Sequence, residues 1–547
     1  MFKILYDNPN EDLITRLLKI RGVNESPEDF LNPSFKKYRK DPYSLQDMDV
    51  AVERIQKAIK NNQRIIIFGD YDVDGVTSAY TLHMFLRRFL NYPNVSIRLP
   101  SRIKDGYGIK THHIDEIKNL GGELIITVDN GITSIKEAAY AQEQGIDMII
   151  TDHHKNLKEI PQAVAVINPH ISPLYPFKGL AWVGVVFKLI SALSTKLLDE
   201  KSKRKMLNFF LPVVATWTIA DMVPLIDENR LFAKKGLELL NKDKWPQSLR
   251  NFMKHLNIKI VDSYHIAFMI APRLNASGRM SSPYDALKTL LYSSGEKRNW
   301  HIDKLEELNT QRKNLQADLL KEAENLIDKS QPILIAAHPD FHEGIIGLIA
   351  GKLTEKYNKP SIVISLNGEK EVGVASLRSP SYFSVIEMLN HLSNFLIRYG
   401  GHSQAGGFTI EFSKLEEFIQ QVYHYGKMHI NPEQLQKVIE VDTPVYPWET
   451  NQLLNILDLA PFGEWNPQPL LLFKEVLIKN VSSVGKNGNS HLKLIAQIDE
   501  KMFSVLFWKK GELEDQITPG SIYNLIGKIK QDNFNGGIYI EGVELRD

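Results

Sequence analysis

The chain contains no cysteine. That absence removes disulfide frameworks, thiolate metal sites and cysteine nucleophiles from consideration, and it points to a reducing, cytoplasmic setting. A long apolar run is also missing. The best membrane candidate, 206–220, is broken by Asn208 and Pro212 and ends at Asp221, which is short for a span. The opening stretch MFKILYDNPNEDL has no apolar segment of signal-peptide length. Charge of one sign is lacking too: Lys+Arg 66 against Asp+Glu 65 leaves +1, so composition predicts neither nucleic-acid nor membrane binding.

What is present is length and alternation. The 547 residues exceed what one core can bury and predict three or four domains of roughly 100–200 residues each. Hydrophobic residues at 43% and charged residues at 24% exclude a largely disordered or fibrous chain. Residues 1–50 are polar, with a basic knot at Lys36, Lys37, Arg39 and Lys40, and read as an N-terminal extension. From residue 51 apolar runs near 64–69, 95–99, 124–128 and 148–151 are separated by helical patterns near 78–90, 111–120 and 135–144. Such continuous runs predict a parallel sheet buried on both faces, so 51–300 reads as an α/β, doubly wound catalytic domain with a helical insert. Leu305, Leu308, Leu315, Leu319 and Leu326 follow 3-, 4- and 7-residue spacings and predict a long connecting helix within 301–330. A second, smaller α/β domain is expected over 331–432, with strands near 333–337, 361–365, 371–376 and 408–412 and a glycine-dense loop at 400–407. Five strand-like segments between 470 and 543 predict a C-terminal OB-like β-barrel over 433–547.

The densest chemical signal is Gly69-Asp70-Tyr71-Asp72-Val73-Asp74-Gly75, directly after a predicted buried strand. Three carboxylates at i, i+2 and i+4 repel one another unless a cation lies between them, and oxygen-rich loops suit Mg²⁺ or Mn²⁺. An EF-hand opens the same way but requires glutamate at loop position 12. With Asp70 as position 1 that place is Thr81, and the loop follows a strand. Val128-Asp129-Asn130-Gly131 and Thr151-Asp152-His153-His154 also lie just beyond apolar strands. Ligands of open α/β sheets gather outside the carboxyl ends of strands, so three strand ends offer Asp and His to one crevice. Asp221 ends the buried run 213–220 and needs a partner, which a metal would supply. The pair His112-His113, behind Thr111 on an expected surface helix, reads as structural.

GDYDVDG, VDNG, TDHH and IADMVP, in that order, resemble the DHH phosphoesterase superfamily. APRLNASGR (271–279), HEGIIG (342–347), GGHSQAGG (400–407) and LAPFGEWNPQP (459–469) narrow the resemblance to the RecJ family of bacterial single-strand-specific 5′-to-3′ exonucleases, from about residue 45 onward. The resemblance implies DHH, DHHA1 and OB-fold domains. It implies hydrolysis of single-stranded DNA to mononucleotides by a two-metal mechanism, with Mn²⁺ or Mg²⁺, in DNA repair and recombination. Asp74, Asp129, His153 and Asp221 would hold one ion, and Asp72 and Asp129 the other, with Asp129 bridging. Asp70 and Asp152 would orient ligands, and His154 would face the scissile phosphate. Simpler superfamily members carry a histidine four residues before Asp72; Phe68 stands there, which leaves the second ion fewer ligands.

Arg102 and Lys104 in LPSRIKDGYG (99–108) would meet nucleotide phosphates. Arg273, Asn275, Arg279, Ser376, Arg378 and His402 would hold the phosphate from its far side. Two departures stand out: Ala375 and Leu377 replace small neighbours, and Trp465 replaces a common glycine. Phe503, Phe507, Trp508, Tyr523 and Tyr539 in the barrel are available for base stacking, about half of them expected to face inward. Basic clusters at 36–40, 87–88 and 201–205 are the remaining nucleic-acid signal. The implied partners are single-stranded DNA, single-strand-binding protein and a RecQ-like helicase, around a monomer with no membrane attachment. Two readings compete. A small-substrate DHH phosphodiesterase for nanoRNA or cyclic dinucleotides usually lacks the barrel. A catalytically inactive DNA-binding scaffold loses metal carboxylates, and all those needed are present here.

Overall fold

The computed structural model describes residues 2–24, 26–155, 159–242, 246–292, 295–485, 490–532 and 536–546. In the first α/β domain five parallel strands lie in the order Val95–Arg98, Ile65–Phe68, Leu124–Val128, Asp147–Thr151, Ala165–Ile167. Successive side chains of a strand point to opposite faces. Ile65, Ile67, Leu124 and Ile126 therefore join one core with Met48 and Val183, while Ile66, Phe68, Ile125 and Ile150 join another with Ile114 and Ala138. Both faces are apolar, which explains the unbroken hydrophobic runs. From Phe68 the chain crosses to one side of its strand and then returns to Leu124 on the other. The reversal of strand order thus falls between these two strands, and a crevice opens at their carboxyl ends.

The helix expected near 78–90 begins earlier, at Val73. Asp72 is its N-cap, accepting the backbone N–H groups of Asp74 and Gly75 at 3.1 Å each. The acidic loop is thus also a helix start, a dual role that apolar periodicity does not register. Helices Trp182–Leu197, Glu200–Ala220 and Asp227–Leu240 cover one side of the sheet, and the helix Gly295–Leu326 leads to the second domain.

That domain holds a mixed five-stranded sheet, ordered Leu396–Gly401, Ala405–Glu411, Val372–Arg378, Ser361–Asn367, Leu334–His338. Along Val372–Arg378 burial alternates residue by residue. Ala375 and Leu377 point into the core while Ser376 and Arg378 share the opposite face. The departures at 375 and 377 therefore lie behind the face that carries Ser376 and Arg378.

The C-terminal strands Leu471–Val484, His491–Ile498, Lys501–Phe507, Ile522–Gln531 and Ile538–Arg546 close into a barrel through the pairing of Leu471–Leu477 with Ile522–Gly527. Phe503 and Phe507 fill its core, whereas Trp508 is exposed and Tyr523 and Tyr539 are half-buried. Residues 1–50, read above as an extension, are built into this framework. Phe2–Ile4 pairs in parallel with Ile439–Val441, and Leu13, Leu17, Leu18 and Phe30 pack into the barrel core. Arg16, fully buried, meets both carboxylate oxygens of Glu449 at 2.9 and 2.7 Å. Removing either partner alone would leave an uncompensated buried charge.

Candidate active site

Three strand ends and one helix end build the site. The loop after Phe68 carries Asp70, Asp72 and Asp74. Its turn is so tight that a Cβ on Gly75 would lie 2.1 Å from the Asp70 backbone nitrogen, and one on Gly69 would lie 2.5 Å from the Gly75 carbonyl oxygen. Only glycine fits at either end. Asp129 follows Leu124–Val128 with a φ of 62°, a left-handed conformation that aspartate tolerates better than most residues. Asp152 and the two histidines follow Asp147–Thr151, and Asp221 caps the C-terminal end of Glu200–Ala220.

These groups converge. Donor atoms of Asp129, His153 and His154 all lie within 4.8 Å of one another, and His153 Nε2 is 3.5 Å from Asp129 Oδ1. Asp70 Oδ2, Asp74 Oδ1, Asp129 Oδ1 and Asp221 Oδ2 are buried without a hydrogen-bond partner. Unpartnered buried carboxylate oxygens are costly, and oxygen-rich groups of this kind are chemically suited to hard divalent cations. Electrostatics agree. Burial, then Asp72, pushes Asp70 well above the usual carboxylate range; burial, then Asp221 and Asp72, does the same to Asp74. Asp129 is raised by burial and then by Asp72, Asp74, Asp152 and Asp221. Asp221 is pushed up to about 7 by burial and then by Asp72. His153 is driven down to about 3 by burial and by His154, so its ring is neutral, the form that binds a metal.

Asp152 plays another part. Its Oδ2 accepts the Ile132 N–H at 3.0 Å, and its Oδ1 accepts the His153 and His154 N–H groups and lies 2.7 Å from His154 Nδ1. Burial opposes charge on His154, yet the Asp152 carboxylate outweighs it and the ring's pKa is raised. The proton of Nδ1 is thereby fixed on Asp152, leaving Nε2 to address the crevice.

Tyr107 goes unmarked in its sequence motif, although it belongs to the site. Its hydroxyl donates to the Asp129 carbonyl at 2.9 Å and lies 3.1 Å from His154 Nδ1. Tyr107 therefore steadies the left-handed Asp129 and the histidine together. Tyr107→Phe is expected to lower kcat roughly tenfold, the worth of one well-placed hydrogen bond, with an unchanged circular dichroism spectrum; turnover of a labelled oligonucleotide measures it.

An arginine cluster lies beside the acidic loop, where the first domain meets the second. Arg279, from the helix Ala271–Met280, donates to the Gly344 carbonyl at 3.1 Å. Its pKa is pulled down to about 9 by burial and then by Arg102, with Arg378 and Arg312 also contributing against the pull of Asp72. Arg102 stacks 4.0 Å from the Tyr71 ring centroid, and its buried Nε has no partner. Arg378 donates to Ser376 Oγ at 3.2 Å. The cluster thus borders the acidic loop, with Asp72 acting on Arg279 and Asp70 on Arg102. Glycines permit the approach: a Cβ on Gly278 would lie 2.4 Å from the Tyr71 carbonyl, and one on Gly344 2.4 Å from that of Arg279.

Several expected residues fall elsewhere. Arg273 is engaged by Glu306 through Nε at 2.5 Å and Nη2 at 3.0 Å, so this arginine, expected at the phosphate, braces the long helix in this structure. Arg312, unmarked in the sequence, stands near the pocket in its place. Asn275 Oδ1 accepts the Val73 N–H at 3.0 Å and thus positions the acidic loop. His402 is exposed on the turn between the strands Leu396–Gly401 and Ala405–Glu411, and Lys104 is exposed. Phe68 packs 5.0 Å from the His113 ring on the other face of its strand, away from the crevice. His113 is buried, not on a surface. It accepts the Lys110 N–H on Nδ1 at 3.0 Å, so its proton sits on Nε2 toward Asp105, and no lone pair remains for a metal there. Trp465 is exposed with a φ of 61°.

Residues 64–216 match the DHH family, N-terminal domain; 330–427 match the DHHA1 domain; and 441–542 match the RecJ OB domain. The chain is 32% identical over 533 residues to the single-stranded-DNA-specific exonuclease RecJ of Bacillus subtilis, covering 96% of this chain and 66% of the relative, just under two thirds of its length. Against the same enzyme of Salmonella typhimurium it is 32% identical over 514 residues, covering 89% of this chain and 86% of the relative. The crystal structure of RecJ in complex with Mn²⁺ from Thermus thermophilus superposes with a TM-score of 0.80 at 26% identity, covering 98% of this chain and 76% of that one.

Proposed function

The chain belongs to the RecJ family of single-stranded-DNA-specific exonucleases, and on that basis we infer that its own acidic crevice is the hydrolytic centre of a metal-dependent exonuclease. The observation that carries this reading is the set of buried, unpartnered oxygens of Asp70, Asp74, Asp129 and Asp221 beside the arginine pocket. Asp74, Asp129, His153 and Asp221 would hold one divalent ion, Asp72 and Asp129 a second. Two Mn²⁺ or Mg²⁺ ions supply an activated water and neutralise charge on the attacking and leaving oxygens.

The chain's residues do the rest. Asp152 accepts from His154 Nδ1 and favours the protonated ring, whose Nε2–H is then free to donate to a phosphate oxygen. Arg279, Arg102 and Arg378, with Ser376, seat a terminal 5′-phosphate, and the adjacent phosphodiester then lies over the carboxylates. Cleavage one nucleotide from that seat yields 5′-mononucleotides in the 5′-to-3′ direction. A groove of about 990 Å³ between the helical insert and the barrel reaches Met222, next to Asp221, and is lined by Tyr264, Phe268, Phe462, Lys528 and Lys530. Tyr264 and Phe268 are exposed with ring centroids 5.0 Å apart, a stacking surface for unpaired bases along the incoming strand. A barrel on the strand's route favours a polymer over a dinucleotide.

A 5′-labelled strand blocked at its 3′ end should be degraded, and one blocked at its 5′ end should resist; the opposite pattern would refute the assigned polarity. No helix among the described residues is long and apolar enough to cross a membrane. A cytoplasmic monomer, supplied with unpaired strand by a RecQ-like helicase and single-strand-binding protein during DNA repair and recombination, completes the proposal.

A further inference from the structure

We propose that the three basic runs of the sequence form one exosite, a surface remote from the metal centre that binds the phosphate backbone of single-stranded DNA; it rests on the exonuclease reading above. The runs at 36–40, 87–88 and 201–205 are scattered along the chain, and the hydrolytic centre uses none of them. The fold brings them into sequence on one surface. Residues 35–43 lie against the end of helix Trp182–Leu197: Tyr43 Oη is 3.4 Å from Thr195 Oγ1. Arg39, Lys40 and Lys196 share an open cavity of about 560 Å³ with Phe35, Asp41 and Tyr43. The chain then turns into helix Glu200–Ala220, whose first turns carry Lys201, Arg204 and Lys205. Lys205 and Phe209 are four residues apart and so lie on one helix face. The Arg88 guanidinium stands 4.6 Å from the Phe209 ring centroid, which brings the third run to the same helix.

Pairing distinguishes this surface from ordinary dispersed charge. Lys37, Lys40 and Lys203 are held by Asp29, Asp227 and Glu200. Lys36, Arg39, Arg88, Lys196, Arg204 and Lys205 are exposed and make no ion pair among the described residues. Neighbouring cations without counter-charges raise the local potential, and a polyanion relieves it. The surface cannot reach the reacting phosphate. Helix Trp182–Leu197 begins beside Asp221 and ends at the cavity, 16 residues later, which is roughly 24 Å at 1.5 Å per residue. Helix Val73–Met84 likewise runs from Asp72 toward the turn carrying Arg88. Repeated charge interleaved with Phe35 and Tyr43 suits a flexible strand that extends beyond the catalytic groove.

The test uses the full chain with Arg39→Glu, Lys196→Glu and Lys205→Glu combined, beside the unmodified protein. Binding is measured in chelator with 5′-phosphorylated oligothymidylates of about 12 and about 60 nucleotides. The longer strand's Kd should rise about tenfold, and its dependence of log K on log salt should become shallower by roughly 2. The short strand's Kd and its turnover in Mn²⁺ should not change. Unaltered affinity and salt slope for the long strand would overturn the exosite, as they would if the surface served an acidic protein instead. Equal loss at both lengths would overturn it too, by placing the effect at the catalytic groove. If the unmodified protein cleaves neither strand in Mn²⁺, the exonuclease reading fails on its own, separately from the exosite.

Discussion

Asp129→Asn is expected to lower turnover of a 5′-labelled single strand by about 10³-fold or more, equivalent to ~4 kcal/mol of transition-state stabilisation. Asp129 is the carboxylate common to both proposed ion sites, and a bridging carboxylate sets the spacing on which a two-ion mechanism depends. Asparagine keeps the shape and tolerates the φ of 62°, so the fold should survive. Deleting this charge also relieves repulsion with Asp72, Asp74, Asp152 and Asp221. In chelator the variant should therefore melt at a higher temperature than the unmodified protein. Turnover within threefold of normal would remove Asp129 from the centre.

Removing the ions should abolish activity and reveal a pH dependence that bound Mn²⁺ conceals. A carboxylate whose folded pKa is raised holds more protons folded than unfolded between the two values, so its contribution to stability is lost as pH rises through the folded value. Asp70, Asp74 and Asp129 are raised in this way, and Asp221 reaches about 7. His153, depressed to about 3 from 6.5, acts in the opposite sense, but only below 6.5. Above that value the carboxylates and the raised His154 act in the same direction. In chelator the melting temperature should fall from about pH 6.5 to about pH 8, and excess Mn²⁺ should raise it and flatten the slope. A parallel decline with and without Mn²⁺ would show that these carboxylates are not the ion's ligands.

Much of this centre is legible in the sequence because its chemistry sits at strand ends, where apolar runs stop abruptly at Asp70, Asp129 and Asp152. Side chains that act across the fold leave no such trace. Arg312 lies at a polar position of the connecting helix, and nothing local says that it faces Arg279. Arg273 and Arg279 share one motif, yet Glu306 engages the first and leaves the second to the pocket. Tyr107 reads as part of a polar loop until its hydroxyl is seen on the Asp129 carbonyl. Ala375 and Leu377 look like departures only until the two-residue period of the strand turns them to the core. The polar start of the chain conceals its buried role, since Arg16 finds its counter-charge in Glu449, far along the chain.

That last pairing has a consequence for biosynthesis. Arg16 and Glu449 are separated by 433 positions, and most of the buried apolar residues that share a core with Leu13, Leu17 and Leu18 belong to the C-terminal domain, made last. While the ribosome is still translating, this leading segment has nowhere to dock and exposes a greasy face that invites aggregation. The catalytic sheet, whose strands lie close together along the chain, can assemble in the meantime. The amino-terminal segment then seats as the carboxyl-terminal strands emerge, so a nascent chain halted before the barrel would be a natural client for a chaperone.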